Sequence, residues 1–175
     1  LLTDLGADTV KVERPDVGDV SRSFGPFPDH KEDLEKSASF LYFNTGKKSV
    51  VLDLESESGL DSLSRLIDQY DVVISSQTDA SLTRQGCGFE TMKSWNPSVI
   101  LTTITGFSSS GPYSEYESSH LISCAVGGWA NNCGVPEREP LQAGGAISET
   151  LTGSYSAAAT LLAIFGRSKH GGGDH

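Results

Sequence analysis

The chain has 175 residues, a net charge of −10 and 37% hydrophobic residues, a composition suited to a folded domain that hides roughly 70% of its unfolded surface. No apolar run nears the roughly 18 residues of a membrane-spanning helix, and the negative charge repels nucleic acid and anionic membranes. A polyanionic ligand would therefore need a local cluster of Lys and Arg, while three cysteines without paired spacing argue for free thiols and a reducing, cytoplasmic setting.

The opening LLTDLGADTVKVE lacks an initiator Met and the basic-then-apolar layout of a signal peptide. It has the form of a last helical turn stopped at Gly6, then a strand over 9–13, as expected of a piece of a longer protein. The segment 14–37 mixes Pro15, Pro26, Pro28, Gly18 and Gly25 with many charges, and its lack of periodicity predicts a long surface loop.

Further β-branched runs at 48–54, 71–76 and 98–106 predict strands. Between the first two of these, Leu60, Leu63, Ile67 and Tyr70 recur at helical spacing, with Asp61, Ser64, Arg65 and Asp68 on the other side. A shorter link runs through 82–86 and 89–95 until Asn96-Pro97 stops it. Strand, helix and strand in succession, with near-continuous apolar strands, predict parallel units covered on both faces: an α/β, Rossmann-like, open and mostly parallel twisted sheet flanked by helices.

Beyond the strands, a loop over 108–119 precedes a short helix from about His120 to Trp129. A loop over 131–145 then leads into a final helix rich in Ala, Gly and Leu that calls for burial on most of its faces. Residues 1–168 are expected to form one partial domain, and 169–175 a flexible tail.

The final helix carries one conspicuous charge at its start. With Ser148 as its N-cap, Glu149 takes the first helical position, where free N–H groups and the helix dipole keep a carboxylate ionised. Such a carboxylate beside Gly144 and Gly145 can attack an activated acyl group or act as a base, but acidic residues also favour first turns for stability alone. His120, Cys124 and Cys133 lack a fourth ligand at metal spacing and fit a satisfied histidine and buried thiols better than a metal site. The basic residues Lys11, Arg14, Lys47, Lys48 and Arg84 fall at strand ends or in the loops after them, where phosphates bind in open α/β sheets, and equally fit a solvated surface set.

Three stretches resemble the class III CoA-transferases, a family that includes formyl-CoA and carnitine CoA-transferases and 2-methylacyl-CoA racemases. LLTDLGADTVKVERP is similar to its LLADLGADVIKVE-P segment, and FLYFNTGKKSVVLDLES to its F-x-x-x-N-x-x-K-R-S-V-x-L-D-L-K stretch. LTRQGCGFETMKSWNPSVILTTITGFSSSGPY resembles D-R-L-G-L-G-Y-E-x-L-x-x-x-N-P-R-L-I-Y-x-x-I-x-G-F-G-x-x-G-P-Y.

The resemblance implies CoA transfer from an acyl-CoA thioester to a carboxylic acid, with coenzyme A as substrate, no permanently bound cofactor and no metal. It puts Glu149, in SETLTG, where the family has an Asp nucleophile, one methylene shorter. It also implies CoA contacts from Arg14, Leu52, Ser76, Gln77 and Arg84. The family's E-N-F-x-P-G after the third strand is replaced here by Ser75 to Ala80, and the racemase branch's His falls at Ser119, one residue before His120. Family members are more than twice this long, so the fragment alone is expected to be catalytically incomplete, and a homodimer is implied for the full-length parent. The alternatives are a racemase or epimerase acting on 2-methylacyl-CoA and a non-catalytic acyl-CoA-binding homologue.

Overall fold

Four short strands occupy the four predicted β-branched runs, and they pair in parallel as two couples. β1, Val10–Glu13, lies beside β2, Lys48–Val51, in the register Val10 to Lys48 and Glu13 to Val51. β3, Val72–Ser75, lies beside β4, Ile100–Thr103, with Val72 opposite Ile100 and Ser75 opposite Thr103. The computed structural model describes residues 1–175, and the chain folds as two compact units, 1–66 and 67–175. Helices flank the parallel strands, so the architecture is α/β.

In the first unit, a single 3₁₀ turn, Thr3–Leu5, ends at Gly6, whose φ of 103° is the left-handed stop that glycine adopts without steric cost. The segment 14–37 is irregular, with 3₁₀ turns at Val20–Ser23 and Pro28–His30. It is nevertheless held by side chains that periodicity cannot reveal. Arg22 donates to both carboxylate oxygens of Glu13, Nε to Oε2 at 2.7 Å and Nη2 to Oε1 at 3.0 Å, while its guanidinium stacks 3.8 Å above the Phe40 ring. Glu13 is only 4% exposed, and it also accepts from the Ser49 hydroxyl at 2.7 Å and the Asp19 N–H at 2.9 Å.

At the end of this segment Ser37 accepts the Phe40 N–H at 3.0 Å and so caps α1, Ala38–Asn44. The amphipathic stretch after β2 forms α2, Glu57–Ile67, with Leu63 and Ile67 buried as their spacing predicts. Burial of the strands is uneven. Val99, Ile100 and Leu101, at and just before the start of β4, are at most 2% exposed, as expected of a parallel strand covered on both faces, but β2 is largely open and Val51 is 61% exposed. Backbone pairing sets the ladder; coverage depends on what packs above it.

The second unit continues with α3, Asp79–Arg84, and α4, Phe89–Trp95, whose inward residues Leu82 and Met92 are buried with Cys87, Val99, Ile100 and Leu101. Asn96 explains why α4 ends where it does. Its Nδ2 donates to the carbonyls of Ile67, at 3.0 Å, and Tyr70, at 3.1 Å, and its Oδ1 accepts the Ser98 N–H at 3.0 Å. Alanine at Asn96 removes those three hydrogen bonds and is expected to cost about 1 to 3 kcal/mol, read as a lower urea midpoint in the full-length protein with an unchanged slope.

The helix predicted from His120 to Trp129 divides into α5, His120–Val126, and α6, Trp129–Asn132. The break falls at Gly127-Gly128, where Gly128 takes a φ of 78° that no right-handed helix contains. α7 then runs from Ile147 to His170. Its start differs from the expected one: Ala146 is the N-cap and its carbonyl accepts the first helical bond from Thr150 at 3.0 Å, so Ser148 and Glu149 are the second and third helical residues. The physical reason is that the Ser148 hydroxyl is engaged by side chains, as described below, instead of by the helix N–H groups.

α7 is also less buried than its composition calls for. Ala157 and Thr160 form its buried face, where Thr160 Oγ1 meets Thr102 Oγ1 at 2.8 Å, whereas Leu162 and Tyr155 are 70% and 75% exposed. Near its end Arg167 donates to Asp71 Oδ1 at 2.6 Å and the Ser98 carbonyl at 2.8 Å. The closing residues, for which the sequence offers no reason for order, lie beside β4: Gly173 donates to the Pro97 carbonyl at 2.8 Å, and Leu101 to that of Asp174 at 2.9 Å.

Candidate active site

The loop before α7 and the first turns of α5 and α7 bring three side chains together. His120 opens α5, and its ring is largely buried, with a side-chain exposure of 13%. Its Nε2 lies 3.0 Å from the Ala143 carbonyl, and its Nδ1 lies 2.5 Å from Ser148 Oγ and 3.3 Å from Glu149 Oε2. Ser148 Oγ in turn donates to Glu149 Oε2 at 2.8 Å. The Cys124 thiol, one helical turn along α5, contacts the same imidazole at 3.8 to 3.9 Å.

Glu149 keeps its side chain 58% exposed at the open start of α7. The Ser148 hydroxyl, first, and then the carboxylate's own backbone N–H hold its pKa below the usual carboxylate value; slight desolvation opposes them and His120 adds to them. The result is an ionised, accessible carboxylate in a first helical turn, a group able to act as nucleophile or base. Gly145, just before the helix, has a φ of 68°, a left-handed bend that lets the loop turn into α7.

The residues that the family resemblance assigns to CoA fall in both units. Arg14 and Leu52 each stand one residue beyond the carboxyl end of a strand, after Glu13 and Val51, which are paired in register. Arg14 is exposed, and Leu52 donates its N–H to the Glu13 carbonyl at 3.0 Å. In the second unit Ser76 and Gln77 follow the carboxyl end of β3, Gln77 accepting from the Ser81 hydroxyl at 3.1 Å, and Arg84 ends α3 with its side chain in solvent. The positions after strand ends are those where open α/β sheets take ligands.

Other basic residues are already occupied. Lys11 pairs with Asp19 at 2.5 Å and Lys48 with Asp8 at 2.9 Å. Lys47 borders a cavity of about 160 Å³ shared with Lys11, Glu13, Arg22 and Phe40, donates to Asn44 Oδ1 at 2.9 Å, and has its pKa lowered by burial and then by Lys11.

Sequence reasoning singled out Glu149 but missed its partners. His120 and Glu149 are separated by 28 intervening residues, and no period or motif spacing links them; only the packing of α5 against α7 does. The racemase-type His is absent at Ser119, and the next residue, His120, turns its ring toward Ser148 and Glu149.

The frame is an α/β arrangement of parallel strands with an accessible carboxylate in the first turn of a helix, and the comparisons with known proteins give its class. The model of CoA-transferase family III matches residues 1–175, and the chain belongs to that family. It is 34% identical to a succinate–glutarate CoA-transferase of Agrobacterium fabrum, over all of this chain and 44% of that protein. It is 33% identical to a formyl-CoA:oxalate CoA-transferase of Rhodopseudomonas palustris, over 99% of this chain and 40% of that protein. A crystal structure of a CaiB/BaiF family protein from Brucella suis superposes with a TM-score of 0.90 at 36% identity, over 99% of this chain and 46% of that one. The chain thus spans less than half the length of the curated relatives it matches. None of its helices is long and apolar enough to cross a membrane.

Proposed function

We propose that this chain contributes the nucleophile of a CoA-transferase that moves CoA from an acyl-CoA thioester to a carboxylic acid. The observation that carries the assignment is the Glu149 carboxylate, accessible and kept ionised by the Ser148 hydroxyl and a helix-start N–H. The activities named for the relatives support the reaction type.

In the reaction, Glu149 attacks the thioester carbonyl, the C–S bond breaks, and CoA leaves as thiolate from a mixed anhydride. The thiolate attacks the glutamyl carbonyl and expels the donor carboxylate, leaving CoA on Glu149 as a thioester. The acceptor carboxylate attacks that thioester carbonyl and displaces the thiolate, which then attacks the acceptor's acyl carbon and frees Glu149. Each step exchanges one acyl–heteroatom bond for another, and no proton or electron is left over. Arg14 and Arg84 are assigned to CoA phosphates, and Leu52, Ser76 and Gln77 to the rest of the nucleotide and pantetheine, Arg84 at the end of α3 and the others just past a strand end, each in its own unit. The full-length protein acts as a homodimer with acyl-CoA and a carboxylic acid as its partners, and holds no resident cofactor.

One observation favours a second reading, proton exchange at the acyl α-carbon: the His120 imidazole stands beside Glu149 as a second base. The deciding experiment mixes the full-length protein with a panel of acyl-CoAs in deuterated buffer, traps with hydroxylamine and maps peptides by mass spectrometry. Transfer predicts a modification on Glu149 that is missing from Glu149→Gln. Deuterium at the α-carbon, with no adduct and no need for an acceptor acid, assigns the racemase chemistry instead.

A further inference from the structure

The one hydroxyl hydrogen shared among His120, Ser148 and Glu149 cannot make both Ser148 contacts into hydrogen bonds when the imidazole is neutral and the carboxylate ionised. A carbonyl only accepts, so the 3.0 Å contact with Ala143 puts a hydrogen on Nε2 and leaves Nδ1 bare in the neutral ring. The Ser148 hydroxyl has one hydrogen, and two acceptors lie within its reach: Nδ1 at 2.5 Å and Glu149 Oε2 at 2.8 Å. Only one of them can take that hydrogen.

A single added proton lets both Ser148 contacts form at once, and it can do so in two ways. On the imidazole, Nδ1–H donates to Oγ and Oγ–H donates to Oε2. On the carboxyl, Oε2–H donates to Oγ and Oγ–H donates to Nδ1. The two forms interconvert when the Nδ1 proton passes to Oγ and the Oγ proton passes to Oε2, with no bond between heavy atoms broken. The ring is largely shielded from water while the carboxylate is open to it, so the chain links a buried base to an exposed acid.

We propose that His120, Ser148 and Glu149 form a proton relay in which the imidazole governs, through the serine hydroxyl, how far the Glu149 carboxylate is free to react. His120 and Ser148 are positioning residues for Glu149. With the extra proton present, Oε2 is either protonated or fully donated to; when it departs, the hydroxyl is shared with Nδ1 and the carboxylate is released. The titratable groups facing the imidazole are Glu149 from α7 and the Cys124 thiol from its own helix, while α6, packed on α5, carries none. The kinetic consequence rests on Glu149 being the nucleophile; the coupling of the three groups does not.

Two measurements on the full-length protein separate those layers. The first follows the Glu149 carboxyl carbon by NMR against pH. Two inflections are expected, its own and a second that reports proton uptake at the coupled imidazole. The second inflection should vanish in His120→Gln, lose at least half its amplitude in Ser148→Ala, survive in Ser148→Thr, which keeps the hydroxyl, and be unmoved by Cys124→Ala. A single inflection in the unaltered protein, or a second one indifferent to Ser148→Ala, overturns the relay, the latter because the direct 3.3 Å contact would then carry the coupling. The second measurement is the rate of adduct formation on Glu149, expected to rise as the pH passes upward through the second inflection and to show no such rise in His120→Gln. A rate without that rise in the unaltered protein overturns the gating. If Glu149 forms no adduct at all, the nucleophile assignment fails and the carboxyl titration alone decides the relay.

Discussion

On the proposed mechanism, exchanging Glu149 for Gln is expected to lower CoA transfer by the full-length protein by about a thousandfold or more, with little change in the KM for acyl-CoA. The amide has nearly the shape of the carboxylate and keeps an oxygen for Ser148 to bond, so binding and folding survive while the attacking anion is gone. Losses of this size are typical when the group that forms the covalent bond is removed. Glu149→Asp is the finer probe. It retracts the attacking oxygen by about an ångström, the scale of misplacement that costs on the order of a hundredfold. It also breaks the reach to Ser148 that this chain uses at 2.8 Å. Steady-state rates with a fixed acceptor acid measure both; a Gln variant that keeps a tenth of the activity removes Glu149 from the reaction. The pH dependence has a definite sign as well, because a carboxyl pKa held below its usual value keeps the nucleophile ionised until the solution is more acidic than an ordinary carboxyl requires.

The second large effect is on stability, at Arg22. Replacing it with Ala leaves Glu13, 4% exposed, as a buried carboxylate without its counter-ion and removes the ring contact with Phe40. Breaking one half of such a pair is expected to destabilise by about 3 to 5 kcal/mol, because the remaining charge cannot regain water. Arg22→Lys keeps the charge but not the two-pronged donation to Oε1 and Oε2, and should fall between Ala and the parent.

The same pair sets an acid limit. The Arg22 guanidinium, and after it Ser49 and the Asp19 N–H, outweigh burial and bring the Glu13 pKa from 4.5 to about 2. A pKa depressed by folding contributes stability that is present in full above 4.5 and is lost as the pH falls through the interval down to about 2. The amount is about 3 kcal/mol by the linkage relation. Urea unfolding of the full-length protein at a series of pH values measures it: the parent should lose stability across that interval, and Arg22→Ala should be weaker throughout and respond less to acid.

These two sites divide differently between sequence and structure. The strands at 10–13, 48–51, 72–75 and 100–103, and the buried face of α2 at Leu63 and Ile67, were legible because each depends on local periodicity. The stop at Gly6 and the end of α4 near Asn96-Pro97 were legible for the same reason: the backbone limits of Gly and Pro act within a residue or two. Glu149 was legible as a charge out of place at the head of an apolar helix, and the nucleophile role proposed for it comes from resemblance to a family.

The tertiary structure decided which side chains meet. No local rule joins Arg22 to Glu13 across an irregular loop, or His120 to Ser148 across 27 intervening residues, because a hydrogen bond between distant residues depends on how helices and strands pack. Even the first residue of α7 was a tertiary matter. Ser148 is a good N-cap by propensity, but its hydroxyl can serve only one geometry, and the imidazole and carboxylate claimed it. The sequence by itself determined the four strands, their parallel pairing, the amphipathic α2 and the presence of the carboxylate; packing determined where α5, α6 and α7 begin and end and what that carboxylate is bonded to, since partners are chosen in three dimensions while periodicity acts along one.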